Sequence, residues 1–458
     1  MPRPRAKAST PATPGSKAAN KQPDGLAARQ LAAHLVAGVL RGKRPLEQVL
    51  ASRQAELARL DRRDRGLARM IAATVLRRLG ELEHVLNTFI ERPLPKAQGQ
   101  LWPILLCAAA QLLCLSLPAH AVVDLAVEQV RRDPGAHRFA KLSNAVLRRI
   151  SEHGARLLAT QDGVLLNIPA WLWQRWCEAY GSATARRIAE ASLKEAALDI
   201  SLKPGEDVSL WAARLAGLVL PTSSIRLACH GRVEELPGYA DGSWWVQDAA
   251  AALVSRLAGE VAERSVADLC AAPGGKTAAL AAAGARVTAV DISASRLARL
   301  KVNLDRLKLT ATLVAADAAS WAPGVTFDAV ILDAPCTATG TIRRHPDILR
   351  LKGPGDVARM AELQRRLLAQ AASLVRVGGR LLFSTCSLEP EEGVRQTADF
   401  LALNANFARL PVVPSEIGGD PAWITAEGEL RTLPFQLQEG SAAAGMDGFY
   451  VARLRRVS

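Results

Sequence analysis

The stretch Asp268-Leu269-Cys270-Ala271-Ala272-Pro273-Gly274-Gly275-Lys276-Thr277 decides how the rest of the chain is read. A short apolar run containing an acid, Ser265-Val266-Ala267-Asp268-Leu269, leads into a turn of small residues, and an alanine-rich segment follows from Ala278 to Ala283. This is the strand–turn–helix opening of a nucleotide-binding βαβ unit. Glycine lets the backbone approach a ligand closely, and the start of the helix offers N–H groups without intrahelical partners. A second apolar run, Arg286-Val287-Thr288-Ala289-Val290, ends in Asp291, a carboxylate suited to the ribose hydroxyls of an adenosine-containing cofactor. The glycines do not spell G-x-G-x-x-G, because Pro273-Gly274-Gly275-Lys276 stands in its place. Taken alone, the stretch is also compatible with a glycine turn that only packs a helix on a sheet.

Working outward, residues 241–458 alternate between strand and helix patterns. Strands are expected at 266–270, 286–291, 312–316, 328–332 and 379–384, which predicts a mainly parallel, doubly wound α/β sheet. Gly448–Ala452 would close it as an antiparallel edge. In such sheets the C-terminal strand ends face the ligand crevice. Asp317 ends the third strand of the series and joins Asp291 as a contact for the cofactor's ribose and adenine. The fourth strand ends Asp333-Ala334-Pro335-Cys336, and the fifth ends Phe383-Ser384-Thr385-Cys386-Ser387.

Two thiols therefore leave neighbouring strand ends beside a carboxylate and a cofactor turn. One buried cysteine by itself is usually an inert small hydrophobe. The pair points to covalent chemistry, and the reaction that needs it is methylation of a pyrimidine at carbon 5. That carbon is a poor nucleophile until a thiolate adds to carbon 6 and makes the ring an enamine. Asp333 would hydrogen-bond N3 and the exocyclic amine of cytosine, and a base must remove the carbon-5 proton before the thiol leaves. A thiolate requires a positive surround, for which Lys276, Arg343 and Arg344 are candidates. Spacing does not rank Cys336 against Cys386.

The chain of 458 residues is long enough for two or three domains, and 49% hydrophobic against 22% charged residues mark it as globular. Its 58 Lys+Arg against 44 Asp+Glu give a net charge of +14, which suits a polyanionic partner. Seven scattered cysteines, Cys229 among them, show no zinc spacing and no disulfide framework, and read as reduced thiols of a cytoplasmic protein. Residues 1–24 are rich in Pro, Ala, Ser and Lys, lack the apolar core of a signal peptide, and are expected to be a disordered basic tail. From Leu26 to about Ile150 the apolar residues recur at helical spacing, with breaks at Gly42–Pro45, Pro93–Pro95, Pro118 and Pro134–Gly135, predicting six or seven helices. The apolar run Leu101–Leu117 reads as one of them, buried, and not as a membrane span. Arg62, Arg63, Arg65, Arg69, Arg77, Arg78, Arg131, Arg132, Arg138 and Lys141 lie on the polar faces, either solvated or in contact with RNA. The region 155–240 is mixed. Helices are expected from Pro169 and over Ser182–Leu193, with Ser182 as a possible N-cap, and strands at Leu198–Leu202 and Ser224–Leu227. The tryptophans at 171, 173 and 176 read as packing.

On these residues the chain resembles the RNA 5-methylcytosine methyltransferases, and within them the bacterial branch that acts on small-subunit ribosomal RNA. The matching stretches are Val246–Ala249, Asp268–Thr277, Asp333–Ile348 and Ser384–Glu392, and the resemblance covers nearly the whole chain. It implies a Rossmann-like class I methyltransferase domain over 241–458. Before it would come an all-α NusB-like RNA-binding domain over 25–152 and a small α+β linking subdomain over 153–240. It further implies S-adenosyl-L-methionine bound by Cys270, Ala271, Ala272, Pro273, Gly274, Gly275, Lys276, Asp291, Asp317 and Asp333. The thiol of the Thr-Cys-Ser context, Cys386, would be the nucleophile, and the Pro-Cys thiol, Cys336, would help product release. The family's Arg-x-Asn is replaced by Ser201-Leu202-Lys203, and Gln247-Asp248-Ala249-Ala250-Ala251 lacks the family's serine. The expectation is thus a monomeric enzyme acting on small-subunit ribosomal RNA without metal or membrane. The competing readings are a nucleotide-dependent oxidoreductase on the same sheet and a non-catalytic RNA-binding or ribosome assembly factor.

Overall fold

The computed structural model describes residues 24–227, 232–437 and 445–458, so residues 1–23 of the expected tail and Cys229 lie outside the described residues. The first body is helical. Among the described residues, eight α-helices lie between Leu26 and Ala159, more than the six or seven expected. The excess arises at Ser52–Arg53, where a short run divides into Leu46–Ala51 and Gln54–Arg59, and at Arg78, whose backbone (φ −114°, ψ 26°) separates Arg62–Arg77 from Leu79–Phe89. Helix Leu101–Leu113 forms the centre, with Leu101, Leu105, Leu106, Ala109 and Ala110 buried. Its one buried polar side chain, Gln111, accepts a hydrogen bond from Arg29 Nε (2.7 Å) and donates to Cys107 O (2.8 Å). Among the described residues no helix is long and apolar enough to cross a membrane. Helix Ala140–Ala159 runs unbroken through residue 152, so the expected domain boundary falls inside a helix.

Among the described residues the second body holds four strands, β1 (Leu198–Leu202), β2 (Gly217–Val219), β3 (Ile225–Leu227) and β4 (Trp244–Val246), in the antiparallel order β2-β3-β1-β4. β4 lies beyond residue 240 yet pairs with β1 (Leu202↔Trp244), so this sheet extends past the expected boundary. Ser182 is the first residue of its helix and not the cap, a position taken by Gly181 at φ +78°. Trp176 is fully buried with Ile342 and Leu388, which confirms a packing role across bodies.

The third body is, among the described residues, an eight-stranded sheet of β5 (Ser265–Leu269), β6 (Arg286–Asp291), β7 (Thr312–Ala315), β8 (Phe327–Asp333), β9 (Val375–Thr385), β10 (Phe407–Arg409), β11 (Leu430–Arg431) and β12 (Tyr450–Arg456). The path is β10-β12-β9-β8-β5-β6-β7, with β11 also paired to β12. β5 to β9 are parallel, and the strand order reverses between β5 and β8, the crevice where open α/β sheets bind ligands. Alternate residues serve opposite faces: Val266, Ile331 and Leu382 enter one core, and Ala267, Val330 and Leu381 the other. Both faces are covered, which explains the continuous apolar strands. The final strand starts at Tyr450, later than expected, and is not the edge: it pairs with β9 on one side and with β10 and β11 on the other.

The linking sheet is fastened to the third body by a buried ion pair. Arg226 donates from Nε (2.7 Å) and Nη2 (2.8 Å) to Asp199, which also accepts from the backbone of Ala249 at the start of helix Ala249–Arg256. Removing one member strands the other in a dry site. Arg226→Met should therefore cost about 3–5 kcal/mol of local stability. Hydrogen exchange would show this as faster exchange in 198–202 and 225–227, with the helix at 101–113 unchanged.

Candidate active site

The site is built at the C-terminal strand ends. After β5 the chain turns through Ala271, whose N–H bonds Val290 O (3.0 Å), and Gly274 sits at φ +105°. An added Cβ at Gly274 would meet Leu300 Cγ at 2.6 Å, so the turn excludes larger residues. Asp268 is fully buried and accepts from Thr277 Oγ1 (2.6 Å), tying the strand to the first turn of helix Gly275–Ala282. Burial pushes its carboxyl up to about 7. Burial, with Asp333 and Asp291 nearby, pushes the Cys270 thiol up to about 12 and keeps it neutral.

Lys276 reaches across to Asp333: Nζ donates to Oδ2 at 2.6 Å. The other oxygen, Oδ1, accepts from Ser384 Oγ (3.2 Å), and the Lys276 ammonium lies 5.3 Å from the centre of the Phe449 ring. The pairing of β8 with β9 sets Asp333 opposite Ser384, so the strand exits bring Cys336 and Cys386 together at 3.5 Å between sulfurs. The hydrogen bond with Cys386, followed by burial, raises the Cys336 thiol well above its ordinary value. Gly340 N donates to Cys386 O (2.9 Å), and an added Cβ there would meet Gly448 O at 2.0 Å.

Glu392 holds the two thiol-bearing loops to each other. It is fully buried and accepts from Thr337 N (2.9 Å), Thr337 Oγ1, Ser387 Oγ (2.5 Å) and Gln364 Nε2 (3.2 Å). Glu389 does likewise with Arg175 (2.5 Å) and Thr339 (3.5 Å). Neither glutamate was singled out from the sequence, although both lie in the quoted Ser384–Glu392 stretch; nothing in their spacing distinguishes a buried clamp from a solvated acid.

A cleft of about 620 Å³ lies between the second and third bodies. Ala271, Gly275, Lys276, Asp333 and Cys386 line it, whereas Cys336 does not. Arg344 of its far wall pairs with buried Asp447, while Arg343, buried and not bordering the cleft, is held between Asp248 (3.5 Å) and Asp447 (3.9 Å). Asp248 and Phe449, which border the cleft, and Asp447, which holds Arg344 there, are residues that periodicity did not expose. Asp291 is buried, and its carboxylate accepts from Ala272 N (3.1 Å) and Ser293 N (2.9 Å), so it fixes the turn. Asp317 is exposed and caps Ala319 N (2.9 Å). Neither carboxylate borders the cleft.

The loop 270–276 fits an adenosine-bearing sulfonium: a glycine turn and a helix start without a side-chain cap meet the Asp333 carboxylate at one cleft. Comparisons with known proteins agree. Residues 256–455 match the family described as 16S rRNA methyltransferase RsmB/F, and residues 26–152 match the NusB family. The ribosomal RNA small subunit methyltransferase B of Pseudomonas putida is 36% identical over 94% of this chain and 98% of its own. That of Xanthomonas campestris is 36% identical over 95% and 98%. The crystal structure of PH0851 superposes with a TM-score of 0.71 at 21% identity, covering 93% of this chain and 99% of that one. NSun6 from Pyrococcus horikoshii with SFG gives 0.53 at 18% identity, over 63% and 98%.

Fold and site together define an S-adenosyl-L-methionine-dependent methyltransferase carrying a NusB-family domain. Within that class the chain belongs to the ribosomal RNA small subunit methyltransferase B family.

The Asp268 carboxyl gives a pH signature. Its folded pKa of about 7 lies above the ordinary unfolded value of about 3.9. The stability it contributes is therefore fully present below pH 4 and is lost as pH rises through 7. Asp268→Asn removes that slope: its urea midpoint relative to wild type should climb between pH 4 and 7 and level off above.

Proposed function

We propose that this protein methylates carbon 5 of a cytosine in small-subunit ribosomal RNA through a covalent adduct between Cys386 and carbon 6. The observation that carries the reading is that Cys386 borders the cleft beside the Lys276–Asp333 pair, with Cys336 set 3.5 Å behind it. The bound cofactor supplies an electrophilic methyl group. Cys386 adds as thiolate to carbon 6, and the electron pair released toward carbon 5 makes that carbon the nucleophile. Asp333, its charge held by Lys276, receives the hydrogen-bonding edge of the cytosine and stabilises the adduct. Once carbon 5 carries the methyl, loss of its proton restores the ring double bond as the S–C6 bond breaks. Cys336, kept as a neutral thiol beside the departing sulfur, assists that departure.

The target base must leave its stack to reach such a cleft. A groove on the helical body carries Arg131, Arg138 and Lys141 beside Asp124 and Glu128 and supports RNA capture there. Other arginines of that body are committed to protein partners: Arg62 to Glu235 (2.6 Å), Arg78 to Glu81 (2.7 Å) and Arg132 to Glu128 (2.7 Å).

Methyl-labelled cofactor with unmodified small-subunit RNA tests the roles. Cys386→Ala should lose at least about 10³-fold in rate, the order expected for removal of a covalent nucleophile. It should form no denaturation-resistant adduct, while Cys336→Ala should accumulate one. The reverse pattern would exchange the two thiols. Methyl transfer undiminished in Cys386→Ala would overturn Cys386 as the nucleophile, and no transfer by wild type to any RNA tested would revive the non-catalytic assembly-factor reading.

A further inference from the structure

The segment Thr341–Leu351 leaves the Cys336 loop, passes along the cleft wall, and ends against the helical body. Its cleft side carries Arg344, paired with Asp447, and His345, which borders the cleft and whose ring has no hydrogen-bond partner among the described residues. Burial, followed by the charge of Arg344, lowers the His345 pKa and keeps the ring neutral. Its other side is held by the NusB-family domain at four points. Asp347 Oδ2 accepts from Leu46 N (3.0 Å), the first residue of helix Leu46–Ala51. That helix follows Pro45 and has no side-chain cap of its own, so the carboxylate from another domain satisfies one of its orphan donors. Arg77 donates to Arg343 O (3.1 Å), and Lys43 to Arg350 O (3.4 Å). Leu351 packs against the helical core.

These bonds are unlike an RNA grip. Burial lowers the pKa of Arg77, and among the described residues its side chain donates to the backbone beside Arg344 rather than facing an exposed groove. Arg350 in turn donates to Asn167 O (3.1 Å), and Asn167 bonds Glu81 of the helical body (2.6 Å). An added Cβ at Gly80 would meet Leu166 O at 1.8 Å, so the same seam is closely packed one turn away. The segment is thus clamped on one side by the NusB-family domain and presents two polar side chains to the cleft on the other.

We propose that the NusB-family domain positions Arg344 and His345 on the substrate through the segment Thr341–Leu351, with Lys43, Arg77 and Asp347 as positioning residues, so that it contributes to turnover as well as to RNA capture. The kinetic part rests on the RNA methylation reading above. A catalytic group displaced by about 1 Å can cost about 10²-fold in rate.

The test uses the full chain with Lys43→Ala/Arg77→Ala, and Arg77→Lys as the conservative variant. The double variant should lower kcat about 10- to 100-fold at saturating RNA and cofactor. Its RNA Kd should stay within about threefold of wild type, below the change expected for losing even a single phosphate contact over a several-fold salt range. Hydrogen exchange should quicken in 341–352 and remain unchanged in 101–113, which shows that the fold is intact. Arg77→Lys should restore much of kcat. Unchanged kcat with unchanged exchange in 341–352 would overturn the proposal, as would a loss confined to RNA affinity. If wild type methylates no RNA, the methylation reading fails by itself, and the exchange measurement still decides whether the domain holds the segment.

Discussion

The parallel pairing of β8 with β9 is the constraint on which the chemistry depends. With Asp333 set opposite Ser384, the two thiols leave the sheet side by side, and the carboxylate between them and the glycine turn points into the same cleft. A slip of one residue in this register would turn Asp333 to the other face. The covered faces prevent it, because Ile331 and Leu382 would then trade cores with Val330 and Leu381.

The strand exits are finished by buried polar groups and not by apolar packing. Asp268, Glu389, Glu392, Asp248 and Asp447 are all nearly or fully excluded from water. Each carboxyl taken from water carries a penalty that only hydrogen bonds or a paired cation offset. Glu392 meets it with bonds from four donors, Glu389 with Arg175, and Asp447 with Arg343 and Arg344. An apolar filling would have stabilised the loops as well. Directional bonds also fix where Cys336 and Cys386 stop, the geometry that the proposed thiol adduct would require.

The bodies meet through the same kind of bond. Asp199 and Arg226 hold the linking sheet against helix Ala249–Arg256, and Asp347 caps a helix of the NusB-family domain. The cleft wall therefore draws on three sequence-distant regions: Trp245–Asp248 at and just after β4 of the linking sheet, Arg344–His345 from the clamped segment, and Phe449 just before the last strand.

The alternation of residues 265–385 determined by itself a doubly wound parallel sheet, because strands buried on both faces must be continuously apolar and the turn after β5 must be small. Local motifs likewise marked Lys276, Asp333, Cys336 and Cys386, since each sits at a strand exit that periodicity locates. Helix and domain limits were less legible: Arg78 breaks a helix by backbone angle alone, and β4 joins the linking sheet only because β1 is there to pair with it. That Cys386 borders the cleft and Cys336 does not, the clamp at Glu392 and the pairing of Arg344 with Asp447 were decided by tertiary structure. Their partners lie 55 and 103 residues apart, and which buried carboxyl meets which donor depends on loop paths that no local pattern encodes.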